Sequence, residues 1–335
     1  MVAARGQRST PYSMMNSECP IPLRRTLSYP GDDDRVIRVQ NMRFKVNANI
    51  LRAGSSAFKN IFKSQDSPVV LSGHTAAQFR AFLWAVYAHP LPTAKTLDIP
   101  RLCSIAEVSF KYGFDSLKRW SMDGIRTKVN APNTPLRTAP SETFVRLIRL
   151  ALLYRDADLS RSIQSKWLTR IHWHDLPPVP AILIADAYDL RHLLCHAYYV
   201  HLVDVSALIA DGKRLMDDSL LSPTQTLHVF CGYHSLSALW RQLQETPPTF
   251  SAHPQCTSHA RCQVVWAARW ALETGRSWAF APVDVLCRLL FMERHLEMDE
   301  LVKSCMTEGC RREALDAIAR KRGEVSDNLQ HHFDL

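Results

Sequence analysis

The sequence predicts an α+β protein: a small domain of short strands and helices over residues 31–130, then an all-α region of helical hairpins to residue 335. Three observations carry this. VIRVQNMRFKVN (36–47) has β-branched and apolar residues on both sides of a QNM interruption, which reads as a two-stranded hairpin. Beyond residue 98 almost every apolar run has helical spacing. The charge is also divided: 15 Lys or Arg against 6 Asp or Glu stand between Asp34 and Asn130, a surplus equal to the whole net charge of +9.

Residues 1–30 are rich in Ser, Pro and Arg without periodicity, and are expected to be a disordered tail. GDDD (31–34) reads as an acidic hinge. After the hairpin, NILRAGSSAFKNIF switches to helical spacing, with Ser55 or Ser56 as the cap of a second short helix. PVVL (68–71) reads as a short buried strand. TAAQFRAFLWAVYAHP starts at a Thr75 cap, lays Phe79, Phe82, Leu83, Val86 and Tyr87 on one face, and stops before Pro90. Phe58 is expected to sit under this helix.

The Pro-rich stretch at 131–141 reads as a linker, with the all-α region filling 142–335. Tyr112/Leu117, Tyr154/Leu159 and Tyr188/Leu193 each close one apolar helix and open the next. They predict three hairpins with turns bridged by a Tyr–Leu contact. SPTQTLHVFCGYHSLSALWRQL, RCQVVWAARWALETG, DVLCRLLFMERHL and REALDAIARKRGEVSDNLQHHF are further helices.

FKVNANILRAGSSAFKNIF places Phe44, Val46, Leu51, Ser55, Phe58, Ile61 and Phe62 in a pattern that resembles the BTB/POZ domain, in the form abundant among fungal proteins. VVLSGHTAAQFRAFLWAVYAHP and LCSIAEVSFKYGFDSLKRW are similar to that family's later strand and helices. The resemblance implies a non-catalytic protein-interaction module, self-associating as a homodimer or binding a partner, with an adaptor role. Asn47 stands where the family usually has His, and Ala48 where many members have a basic residue, so a charged central pocket is not expected. FKSQD has no Glu before Asp66, which argues against docking on a cullin scaffold.

The sequence contains no G-x-G-x-x-G, P-loop, G-x-S-x-G or H-E-x-x-H, and an enzyme is not expected. His172–Asp175 reads as a helix end, and the charges of ERHLEMDE as a solvated face. No run of about 18 apolar residues is present, so no membrane span is expected. Nine scattered cysteines point to reduced thiols and a cytoplasmic or nuclear setting. Arg38, Arg43 and Lys45 cluster in the hairpin and are candidates for binding an acidic protein partner. No zinc finger or aromatic-studded motif accompanies them, which argues against nucleic acid.

HPQCTSHARCQVVW (253–266) allows two readings. Cys256, His259, Cys262 and Cys310 form a candidate zinc site, with His253 and Cys305 as other donors. A zinc-containing, nucleic-acid-associated regulator is the alternative function this carries. Against a metal, Cys262, Trp266 and Trp270 recur at i, i+4 and i+8, the pattern of a buried helix face, and no cofactor is then needed.

Overall fold

The computed structural model describes residues 26–29, 33–64, 68–88, 90–210, 220–276 and 280–335. They form two compact units divided between Ile125 and Arg126.

In the first unit, strands β1 (Thr26–Ser28), β2 (Asp34–Val39), β3 (Met42–Asn47) and β4 (Val69–Leu71) form one sheet in the order β1-β3-β2-β4. The antiparallel β2–β3 pair runs from Asp34↔Asn47 to Val39↔Met42, so Gln40 and Asn41 make the turn. This register turns Ile37, Val39, Phe44 and Val46 into the core, all fully buried. The expected tail is corrected at its end. Thr26–Ser28 pairs parallel to β3, Tyr29 N–H donates to the Lys45 carbonyl at 2.7 Å, and the Tyr29 ring stacks on Tyr87. This strand owes its existence to a long-range partner, not to local alternation. The rest of the tail lies outside the described residues.

Helices α1 (Ala48–Gly54), α2 (Ser56–Ser64), α3 (Ala76–Tyr87) and α4 (Ile99–Tyr112) complete the unit, α1 packing with α2 and α3 with α4, and Phe79 of α3 meets Phe44 of β3 edge-on. Asn47 caps α1, its Oδ1 accepting from the Asn49 N–H at 2.9 Å. Ser55 caps α2 by accepting from the Phe58 N–H, and its own hydroxyl donates to the Tyr112 carbonyl. Thr75 and Gln78 form a capping box at the start of α3. Phe58 is fully buried, but its ring neighbours are Phe62, Tyr112 and Phe114. Phe114 then packs edge-on against Phe82 of α3. Phe114 thus links Phe58 to α3. Gly54 fits because a Cβ there would lie 2.2 Å from the Phe114 ring.

Helix α5 (Asp115–Asn130) follows. In the second unit, α6 (Ser141–Leu153) pairs with α7 (Ala157–His172), and α8 (Val179–Ala187) with α9 (Arg191–Ala210). Then follow α10 (Pro223–Glu245), α11 (His259–Thr274), α12 (Val285–Met298), α13 (Glu300–Cys305), α14 (Glu308–Asp327) and α15 (Leu329–His332). The stretch expected to be a linker is packed: Leu136 is buried, and the Arg170 guanidinium donates to the Leu136 and Ala139 carbonyls.

The Tyr-led turns share a backbone motif. Gly113, Arg155 and Asp189, each just after its Tyr, are left-handed. The next residue's N–H returns to a carbonyl three residues before the Tyr: Phe114 to Ser109, Asp156 to Ala151 and Leu190 to Ala185. This is the Schellman closure of a helix end. Leu117, Leu159 and Leu193 are buried, while Tyr188 stays exposed, so the repeat is carried by the backbone turn.

Candidate functional site

The β2–β3 hairpin raises two arginines beside a groove. Arg38 and Arg43 are direct cross-strand partners, and neither guanidinium makes an ion pair or hydrogen bond among the described residues. They line a groove of about 900 Å³ with Gln40, Val70, His74 and Gln78. Gln40 is left-handed (φ 53°), and its Oε1 accepts from the Ala76 N–H at 2.9 Å, tying the turn to the start of α3. Burial, then the Lys111 charge, lowers His74 to about 4, so the ring is neutral near pH 7. Lys45 is not part of this pair. Its ammonium meets Asp34 at 2.7 Å. Asp33 holds Arg52 in the same way. The arrangement offers unneutralised cationic donors beside an open apolar strand edge, where Val70 is 51% exposed.

A second constellation lies at the starts of α11 and α14. The donor atoms of Cys256, His259 and Cys310 all lie within 4.8 Å of one another. Cys310 Sγ is 3.5 Å from His259 Nδ1. Cys262 is one turn into α11, and its Sγ is 3.9 Å from that of Cys256. Thr307 caps α14, accepting from the Cys310 N–H, and its hydroxyl also lies 3.9 Å from Cys262 Sγ. The Thr307 hydroxyl and then the Ser258 N–H hold the Cys256 thiol below its ordinary range, whereas burial pushes Cys262 up. Helix N-termini act in the same direction as the first effect.

The other proposed donors do not join this group. His253 Nδ1 accepts from the Gln255 N–H at 3.3 Å, and its ring fills the space above Gly309, where a Cβ would lie 2.2 Å away. Cys305 ends α13 and is not among the converging donors. Cys262, Trp266 and Trp270 do form a buried stripe. Packing and convergence therefore coexist on one helix.

A protein-family model described as BTB/POZ domain matches residues 32–119. Residues 32–119 form a BTB/POZ domain. No curated protein matches the chain significantly. BTB domains are protein–protein interaction modules that mediate dimerisation, and the family is generally non-enzymatic. The Arg38/Arg43 groove lies within the BTB domain, and the Cys/His cluster lies outside it.

Sequence reasoning missed Gln40, His74 and Thr307. Gln40 and His74 have no local signature, since their roles come from the approach of α3 to the hairpin turn. Thr307 had one: Thr followed by Glu308 at the opening of a helix is a cap pattern. His174 lies just past the end of α7, exposed beside Asp204, and Glu293 pairs with Arg322 at 3.0 Å. The FKSQD segment is described only to Ser64, so the cullin expectation falls mostly outside the described residues. No helix among the described residues is long and apolar enough to cross a membrane.

Proposed function

We propose that this chain is a non-catalytic interaction protein, whose BTB domain binds protein and whose helical region is a second docking platform, as in an adaptor. The observation that carries this is the unneutralised Arg38/Arg43 pair above an open groove in a domain of an interaction family. Two like charges directly opposite across a hairpin cost stability. An acidic segment laid in the groove relieves that cost and gains charge-assisted hydrogen bonds. Self-association is the accompanying assembly, with a homodimer as the unit. Free thiols at all eight described cysteines suit a reducing cytoplasmic or nuclear setting.

The test uses the full-length chain. Light scattering across a concentration series measures assembly. Quantitative co-purification compares wild type with Arg38→Glu/Arg43→Glu. The expected result is a dimer mass and loss of a recurrent partner from the double variant. A monomer at every concentration, with the same partner profile for both proteins, overturns the proposal.

A further inference from the structure

We propose that Cys256, His259, Cys262 and Cys310 bind one zinc ion in a closed structural site that staples the start of α11 to the start of α14. In a tetrahedral site with metal–sulfur bonds of about 2.3 Å and metal–nitrogen bonds of about 2.0 Å, the sulfur–sulfur edge is about 3.8 Å and the sulfur–nitrogen edge about 3.5 Å. The Cys256–Cys262 sulfur separation is 3.9 Å and the Cys310–His259 separation is 3.5 Å. Both are edges of such a tetrahedron. Cys256, His259 and Cys310 already share a common neighbourhood. Cys262 stands outside that trio but against Cys256, one turn into the helix that His259 opens, and is the fourth ligand we assign.

Packing alone does not demand this arrangement. A buried cysteine is an ordinary small apolar side chain, and Cys262 and Cys310 individually fit that description. Here the donor atoms of Cys256, His259 and Cys310, from segments some fifty positions apart, turn towards each other, and Cys262 lies against Cys256. The 3.9 Å separation also far exceeds a disulfide bond of about 2.05 Å, so the pair is not cross-linked.

The donors define the metal class. Two thiols and an imidazole converge with a third thiol beside them, and no carboxylate is in the group; this suits a soft or borderline ion and disfavours calcium or magnesium. With all four positions filled by protein, no place is left for a reacting water, so the site is structural, not catalytic. Each cysteine binds as thiolate, and its proton is released to the buffer. Two helix N-termini point at the cluster and the Thr307 hydroxyl lies against it. Around the donors stands a supporting shell. Phe250 lies edge-on to His259, and His253 fills the notch left by Gly309. Such shells orient ligands and tune affinity.

The test is metal analysis of the full-length chain, purified without added zinc and without a metal-affinity column. About one zinc per chain is expected. Exchange into cobalt(II) should give the intense visible band of a tetrahedral ion and a near-ultraviolet thiolate-to-cobalt band. Cys310→Ser should lower zinc content about tenfold or more. Cys287→Ser, at a thiol remote from the cluster, should leave it unchanged. The cobalt spectrum of the wild-type chain decides the matter even if Cys310→Ser fails to fold. Zinc well below stoichiometry with no thiolate band overturns the proposal, as does a cobalt spectrum of only nitrogen and oxygen ligands. A Cys256–Cys262 disulfide in freshly purified protein overturns it as well.

Discussion

Arg38 on β2 stands directly across the hairpin from Arg43 on β3, with no anion among the described residues to separate them. This contact makes stability and binding respond in opposite directions. Arg38→Glu turns a repulsive pair into an attractive one and should stabilise the domain by about 0.2–1 kcal/mol. The same change should abolish capture of an acidic partner. Thermal unfolding and co-purification read the two effects side by side. A variant that loses stability and keeps its partner contradicts both halves.

Phe58→Ala removes a fully buried ring that joins α2 to Tyr112 and Phe114. The expected cost is about 3–5 kcal/mol, a large share of a domain's stability. Hydrogen exchange on the full-length chain should lose protection across residues 33–125. Retained protection there would contradict the packing described.

Arg155 sits in the turn between α6 and α7 at φ 55°, where a side chain is strained and glycine is not. Its exposed side chain makes no hydrogen bond or ion pair among the described residues. Arg155→Gly should raise stability by about 0.5–1 kcal/mol. A fall in the unfolding midpoint would show that the arginine contributes something else. Gly113 holds the equivalent place after α4, so Gly113→Ala should act the other way.

Two histidines set an acid limit. Burial and then Lys111 hold His74 near 4, and burial, His192 and His172 do the same for His196. The unfolded chain takes up both protons below about 6.5, while the folded chain resists until about 4. The unfolded state thus binds more protons in that window, and stability should fall as pH drops through it. Thermal melts from pH 7 to pH 4 should show the decline. His74→Gln/His196→Gln should flatten it. An unchanged slope would assign the acid sensitivity to other groups.

Much of this architecture is legible in the sequence because it is local. The alternation around Phe44 and Val46 fixes which hairpin face is buried, and Thr75 marks the start of α3. The helices at Pro223, His259 and Val285 begin within a few residues of their periodic runs. What escapes is what distant chain segments impose. Thr26–Ser28 becomes a strand only against β3, and Leu136 is buried in a stretch whose prolines signal a loop. Arg155 and Asp189 accept a left-handed conformation that residue type alone would assign to glycine. In the Cys/His cluster, the sequence names Cys256, His259 and Cys262 by spacing, but the role of Thr307 emerges only where α14 meets α11.

The bond from Gln40 to the first N–H of α3 has a kinetic consequence. It clamps the hairpin turn to the helix, so the walls beside Arg38 and Arg43 exist before any ligand arrives. Docking then spends little entropy on ordering a loop, and complex formation has no slow folding step. Association should approach the rate of an electrostatically steered encounter and slow sharply with added salt, while dissociation changes much less. Gln40→Ala, which frees the turn, should slow capture even though the removed side chain carries no charge.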